Sequence, residues 1–139
     1  MRWASPPQGF GFWGGAGKVT GMSKPAKLKL TIYQGATFRK RLRWSTSGGT
    51  PIDLTGCKAR LQFRSEIESP DVLLELTTEN GGIALGGTAG TVDLYVSDED
   101  TTLIDWEGGV FDLEIEHASG EVTRLAEGSG SVSKEVTRV

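Results

Sequence analysis

The chain has 139 residues, about one domain's length, which is enough to bury a core without disulfides or metal. Cys57 and His117 are the only residues of their types, which excludes an internal disulfide and cysteine-rich or histidine-rich metal sites. Residues 1–52 hold nine Lys and Arg and no acid, whereas residues 53–139 hold six Lys and Arg and all 18 acids. The net charge of −3 is therefore the sum of +9 on residues 1–52 and −12 on residues 53–139.

Residues 1–27 predict an extended N-terminal arm that precedes the folded domain. The segment has three prolines and six glycines between Gly9 and Gly21, and its apolar residues follow neither a strand nor a helix period. Three interpretations are open: a flexible tail, a start of the protein at Met22, or an arm that docks on a partner. The docking residues would be Trp3, Phe10, Phe12 and Trp13.

From Leu28 to residue 139 apolar and polar residues alternate, which is typical of half-buried β-strands. Lys40 is a charge on the apolar side of its strand. The predicted strands are residues 28–33, 38–44, 57–64, 72–76, 83–85, 92–96, 111–116, 122–125 and 131–136. Short strands separated by glycine-rich turns, with no βαβ rhythm, predict an all-β antiparallel sandwich.

One short helical segment is predicted between two of these strands. Ser97 is a suitable N-cap, and the acids of residues 98–100 suit the first turn of a helix. Leu103, Ile104 and Trp106 would give it an apolar face, and the glycine pair at 108–109 would end it. We expect one or two helical turns.

Three motif-like stretches fail the requirements of the sites they resemble. Residues 9–14 match the dinucleotide fingerprint but have no strand before them and no helix after them. Gly17-Lys18 lacks the first glycine and the final Ser or Thr of a phosphate-binding loop, and residues 98–100 lack the glycine of a calcium loop. No cofactor and no metal are expected.

Asp112, Glu114 and Glu116 lie on one side of a predicted strand, about 6–7 Å apart, a spacing compatible with paired catalytic carboxylates such as those of a glycosidase. A solvated hairpin face is the interpretation that we favour, because polar alternation is the norm on an exposed sheet face. Cys57 lies on an apolar side and has no activating residue nearby in the sequence, so we expect a small core residue. We therefore expect no enzyme.

Basic residues on the first predicted strands could indicate that the protein binds nucleic acid. Arg39, Arg41 and Arg43, with Arg60 and Arg64, could form one basic sheet face. Few aromatic residues share that side, the net charge is acidic, and the acidic strands could neutralise the face, so nucleic-acid binding is not expected. These arginines, together with Asp112, Glu114 and Glu116, are instead a candidate charged interface between proteins.

The order of motifs along residues 28–138 resembles a group of small structural proteins of tailed bacteriophages. It is similar to the N-terminal domain of the phage baseplate upper protein family, in which a strand, an Asp-Leu-Thr-Gly turn, further strands and a terminal Val-Thr-Arg follow in this order. The motifs are Leu30–Gly35, Pro51–Arg60, Asn80–Ile83, Gly90–Leu94, Val110–Glu114, Gly128 and Val136–Arg138.

The resemblance implies an immunoglobulin-like β-sandwich that is part of the virion, assembled in the bacterial host cytoplasm. Such domains form rings around a tail, collar or baseplate, or hold fibres and receptor-binding proteins, so the expected partners are other virion proteins and further copies of the chain. Similar sandwiches decorate capsids, which keeps a cement protein as an alternative. A carbohydrate-binding sandwich is a third possibility, for which Trp44 and Trp106 are the candidate aromatic residues.

Overall fold

The structure is a computed structural model that describes residues 24–137. Eight strands form two packed sheets, and the first strand begins two residues before the predicted boundary at Leu28. The strands are β1 (Ala26–Tyr33), β2 (Phe38–Arg43), β3 (Lys58–Arg64), β4 (Leu74–Thr77), β5 (Ile83–Leu85), β6 (Thr91–Val96), β7 (Gly108–Glu116) and β8 (Val122–Ser133). The predicted arm residues Trp3, Phe10, Phe12 and Trp13 lie outside the described residues.

One sheet has five strands in the order β1-β8-β7-β3-β4, and the other has three in the order β2-β6-β5. The predicted antiparallel arrangement holds for every strand pair except β1 with β8, which is parallel. These are the first and last strands of the sandwich, so no hairpin fixes their relative direction. The turn after β1 carries the chain into the opposite sheet, and this crossing sets the direction of β1.

The core lies between the two sheets and consists of the predicted alternating residues. Ala59, Leu61 and Phe63 point inward from β3, and the alternate residues of β7 do the same from the neighbouring strand. Leu42 and Leu94 close the core from the three-stranded sheet. Removing these side chains from water provides the main free energy of folding, because burial scales with apolar area at roughly 25 cal/mol per Å².

Strand β8 is one element of 12 residues, whereas the sequence predicted separate strands at 122–125 and 131–136. The glycines between them lie where neighbouring groups come too close for any side chain. A Cβ on Gly128 would overlap the carbonyl oxygen of Leu28, and one on Gly130 would overlap the ring of Phe63. These glycines serve packing and do not form a turn.

Helix α1 (Asp98–Thr102) begins as predicted, since the Ser97 hydroxyl accepts a hydrogen bond from the backbone N–H of Asp100 at 3.1 Å. The predicted end at residues 108–109 is wrong, because those glycines open β7, which pairs with β8. The predicted apolar face of the helix is only partly confirmed. Ile104 is buried and Trp106 is half-buried, whereas Leu103, the C-cap residue, is exposed. A second, 3₁₀ turn (Gly87–Ala89) was not predicted.

The Asp-Leu-Thr-Gly motif forms a tight turn before β3. The Asp53 carboxylate accepts hydrogen bonds from the backbone N–H of Thr55 at 2.9 Å and from its hydroxyl at 2.6 Å, which lowers the pKa of Asp53. Leu54 is buried, and Gly56 has the positive φ of +81° that the turn requires. The motif therefore has a structural role in the sandwich. Within residues 24–137 no helix is long and apolar enough to cross a membrane.

Candidate functional site

The outer face of the five-stranded sheet carries the three predicted carboxylates opposite polar residues of β3. Glu116 pairs in register with Lys58, Glu114 with Arg60, and Asp112 with Gln62. The Arg60 Nε lies 3.3 Å from Glu114 Oε1. The predicted neutralisation by the acidic strands is confirmed for Arg60, whereas Arg64 instead donates to the Ser69 carbonyl and to Gln62.

A second set of ion pairs joins β7 and β8 on the same face, beside a shallow concavity of about 400 Å³. Arg124 lies 3.7 Å from Asp112 and 3.1 Å from Glu127, and Lys27 also binds Glu127. Burial and the neighbouring Glu114 raise the pKa of Asp112, whereas the hydrogen bond from Lys27 lowers that of Glu127. Charges that compensate one another in this way are typical of a solvated structural face.

The predicted single basic face is wrong, because β2 and β3 belong to different sheets. Arg39, Arg41 and Arg43 point outward from the three-stranded sheet, on the opposite side of the sandwich from Arg60 and Arg64. Alternation along each strand predicts which side chains point outward but not which sheet the strand joins.

The basic residues of β2 have local partners. Arg41 donates to both Asp93 oxygens, at 2.7 and 2.9 Å, and the Arg39 guanidinium lies 4.9 Å above the Tyr95 ring centre. Lys40 pairs in register with the buried Leu94, and partial burial lowers its pKa. A charge at such a position on an edge strand discourages a further strand from pairing there.

Cys57 and His117 meet just beyond the paired ends of β3 and β7. The Cys57 Sγ lies 3.8 Å from His117 Nδ1, and His117 Nε2 lies 3.0 Å from the Thr123 hydroxyl. The prediction that Cys57 has no such neighbour considered sequence distance only, whereas the pairing of Lys58 with Glu116 places the next residues opposite each other. Burial raises the pKa of Cys57, so the thiol stays protonated at neutral pH and is a weak nucleophile.

The two tryptophans considered for carbohydrate binding belong to the core. Trp44 is 3% exposed, and its indole N–H has no acceptor among residues 24–137. Trp106 packs on Phe63 with a ring separation of 5.6 Å. Trp44 therefore offers no open ring face on which a sugar stacks, and Trp106 is half-buried against the core. Among the described residues no group of three or more His, Cys, Asp or Glu side chains could hold a metal ion.

One end of the sandwich, which we call the helix end, consists of residues 34–37, 65–73, 97–107 and 134–137. Gln34 joins three of these segments. Its side chain donates to the Ile104 carbonyl at 2.9 Å and accepts from the Glu135 backbone N–H at 2.8 Å. Its backbone N–H bonds the Ser133 carbonyl at the end of β8. The turn after β1, the segment after α1 and the residues after β8 are thus held together.

Thr101 anchors α1 to the same turn. Its side chain is fully buried, and its hydroxyl accepts from the Gly35 N–H at 3.1 Å and donates to the Ala36 carbonyl at 2.9 Å. These bonds fix the helix against β1 and β2 and so give the helix end a defined shape.

The helix end exposes apolar side chains amid acidic ones. Leu103 and Val136 are 78% and 89% exposed, and each is adjacent in the chain to a group that Gln34 links. Tyr33, at the end of β1, is 59% exposed but lines a concavity with Lys29, Arg39 and Lys40. Of the seven exposed large hydrophobic side chains among residues 24–137, five lie in or beside this end. Nine of the 18 acids lie in its four segments, against one cation, Lys134. Exposed apolar groups gathered in this way mark an interaction surface.

Sequence reasoning did not find this surface, because its residues are far apart in the chain. The sequence pattern predicts Leu103 on the apolar face of a helix and Val136 in a last strand. The acids of residues 98–100 are a signal of a charged surface, but their position also suits helix capping.

No family model and no curated protein matches the sequence, so the likeness to phage structural proteins stays a prediction. Among solved structures, the chain is similar to a chicken TCR, with a TM-score of 0.50 and 11% identity over 81% of this chain and 57% of that chain. It also matches the extracellular domain of a voltage-gated sodium channel beta4 subunit, with a TM-score of 0.45 and 10% identity over 85% of this chain and 100% of that chain. The predicted immunoglobulin-like β-sandwich is confirmed.

Proposed function

We propose that this chain is a non-enzymatic structural protein of a tailed bacteriophage particle, located in the virion. It would act as a tail, collar or baseplate adaptor that holds fibres or receptor-binding proteins through protein contacts. The order of motifs from Leu30 to Arg138 suggests the phage group, and the immunoglobulin-like sandwich agrees with the fold that this group implies.

The helix end is the observation that carries the proposal of a connecting role. It presents Leu103 and Val136 to solvent on segments rich in acids, while residues 1–52 carry only basic charges. A subunit with an acidic apolar surface and a separate basic aromatic segment has two complementary contact regions. Contacts between unlike surfaces produce rings when the rotation closes, so the proposal includes a homo-oligomer.

A capsid decoration protein is the second candidate, because an exposed apolar surface and an aromatic arm would equally suit binding across capsid subunits. The two functions differ in where the protein lies on the particle. Neither requires nucleic acid, and the pairing of Arg41 with Asp93 and of Arg60 with Glu114 leaves less basic surface for phosphate contacts.

Electron cryomicroscopy of particles that carry a small tag after residue 139 would decide between these locations. We expect extra density in a symmetric ring on the tail or baseplate. Density spread over the head would support the decoration protein, and particles without any tag density would contradict both functions.

A further inference from the structure

We propose that the helix end is the receptor for the N-terminal arm of a second copy of this chain. The inference deepens the proposed function and rests on it for the premise that copies assemble. It assigns one occupant, residues 1–23 of the neighbouring copy, to the surface of the helix end around Leu103 and Val136.

Charge and chemistry match between the two parts. Residues 1–23 contain Arg2 and Lys18 and no acid, and they contribute the aromatic residues Trp3, Phe10, Phe12 and Trp13. The five acids of residues 97–107 form no ion pair with any described residue, so their charge is available to a basic ligand. Aromatic side chains bury much area at low entropic cost, and exposed leucine and valine side chains are suitable contacts for them.

The length of the arm allows it to reach a second copy, and the mixing experiment below distinguishes this from binding within one chain. β1 runs parallel to β8 and reaches the helix end at Tyr33, so its first residue, Ala26, lies about 23 Å back along the sandwich. The arm therefore leaves from a point remote from its own helix end. An extended segment of 23 residues can span up to about 75 Å, which is long enough to reach the helix end of a neighbouring copy.

The geometry of Gln34 and Thr101 makes the receptor surface ready to bind. Their hydrogen bonds fix the turn after β1, the residues around Ile104 and the segment at Glu135 before any ligand arrives. A surface ordered in advance loses less conformational freedom on binding.

Sedimentation of the full chain tests the inference with a matched pair of variants. Leu103→Glu places a charge in the receptor surface, whereas Val122→Glu places the same charge on another exposed apolar residue, at the start of β8 away from the helix end. We expect L103E to weaken self-association at least about tenfold and V122E to leave it unchanged. Raising the salt from about 0.1 M to about 1 M should also weaken association of the wild-type chain, because screening shortens the range of charge contacts.

A mixing experiment then identifies the arm as the ligand. A chain with Phe12→Ser and Trp13→Ser keeps an intact helix end, and the L103E chain keeps an intact arm. Each alone should be monomeric, and their mixture should form a one-to-one complex, because one intact contact becomes available. Circular dichroism of each variant confirms that the sandwich is folded.

Three results would overturn the inference: a monomeric wild-type chain, equal effects of L103E and V122E, or no complex in the mixture. A tagged protein that is present in particles while the mixture forms no complex would remove this inference and leave the proposed function standing. A complex in the mixture, together with the absence of the protein from particles, would remove the proposed function and leave the contact between arm and helix end standing.

Discussion

At the residue scale, Gly90 lies at a position that requires glycine for two reasons, its backbone conformation and its close contact with neighbouring backbone. Its φ of +69° is one that side chains with a Cβ rarely adopt, and an added Cβ would lie 2.6 Å from the Trp44 carbonyl oxygen. Its own carbonyl accepts a hydrogen bond from the Trp44 N–H at 2.8 Å, so the backbone cannot move away without losing a contact. Gly81 shares the positive φ, at +84°, but has open space around it.

This contrast predicts different costs for the same substitution. Gly81→Ala should lower the free energy of unfolding by about 1 kcal/mol, the cost of the left-handed conformation alone. Gly90→Ala should lower it by a further 1 to 3 kcal/mol or so, because the methyl group must displace packed backbone. Urea unfolding of the two variants measures the difference, and equal costs would contradict the packing argument.

Cys57 predicts a pH dependence of stability. Burial raises its pKa above the ordinary value of 9.0 in the folded chain. The thiol therefore contributes stability in full below the pKa of the unfolded chain, and this contribution is lost as the pH rises through the folded pKa. Cys57→Ser removes the titration, so urea midpoints between about pH 8 and about pH 10 should fall more steeply for wild type than for the variant. Parallel curves would contradict the prediction.

At the scale of elements, strand register explains the charged face and the Cys57–His117 contact. The pairing of Lys58 with Glu116 brings β3 and β7 together so that Cys57 faces His117. The same register places Arg60 beside Glu114. Each contact joins residues more than 50 positions apart, and both follow from the pairing of one pair of strands.

Arg124 contacts two acids, Glu127 and Asp112, and removing the charge of one or the other should change the free energy of unfolding in opposite directions. Glu127→Gln should lower the free energy of unfolding at neutral pH, since contact with Lys27 and Arg124 lowers the pKa of Glu127 and its charge is stabilising. Asp112→Asn should leave it unchanged or raise it, since burial raises the pKa of Asp112. Both effects should stay below about 1 kcal/mol, because these side chains are solvent-screened.

The pH dependence has opposite signs at these two sites. The Glu127 carboxylate stabilises the folded chain at pH values above its pKa in the unfolded chain, and this stabilisation is lost as the pH falls through its pKa in the folded chain. Asp112 makes its full contribution to the stability of the folded chain at pH values below its pKa in the unfolded chain, and this contribution is lost as the pH rises through its pKa in the folded chain. Urea unfolding at about pH 3 and at about pH 7 measures both variants, and effects of the same sign at neutral pH would be incompatible with this assignment.

Thr101 tests how firmly α1 is held to the turn after β1. Thr101→Val keeps the shape of the side chain but leaves the Gly35 N–H and the Ala36 carbonyl without their partner. We expect a loss of about 1 to 3 kcal/mol in the free energy of unfolding. Thr101→Ser keeps the hydroxyl and should recover most of the hydrogen-bond contribution, which thermal unfolding can show. A valine variant as stable as wild type would remove the proposed anchoring.

Much of the architecture follows from local patterns in the sequence. Alternation predicted the inward residues of β3 and β7, and Ser97 predicted the start of α1. Local pattern did not show that Gly128 and Gly130 lie inside one strand, because glycines selected for close packing look the same as glycines in turns. The helix end could not be predicted, because it assembles from segments that only the paired strands bring together.

At the scale of the whole molecule, the charge asymmetry of the chain has a spatial counterpart. Half of the 18 acids lie in the segments of the helix end, while the basic residues that precede residue 52 belong to β1, β2 and the N-terminal segment before β1. We infer a sandwich that offers the helix end as a contact surface to neighbouring copies. The central claim of the proposed function is that the protein is a structural part of a phage particle.

Quantitative mass spectrometry of purified, salt-washed particles tests that claim most directly. The account predicts that this protein remains with the particles in a fixed number of copies relative to the other structural proteins. A protein that is abundant in the lysate yet absent from the washed particles would contradict the claim.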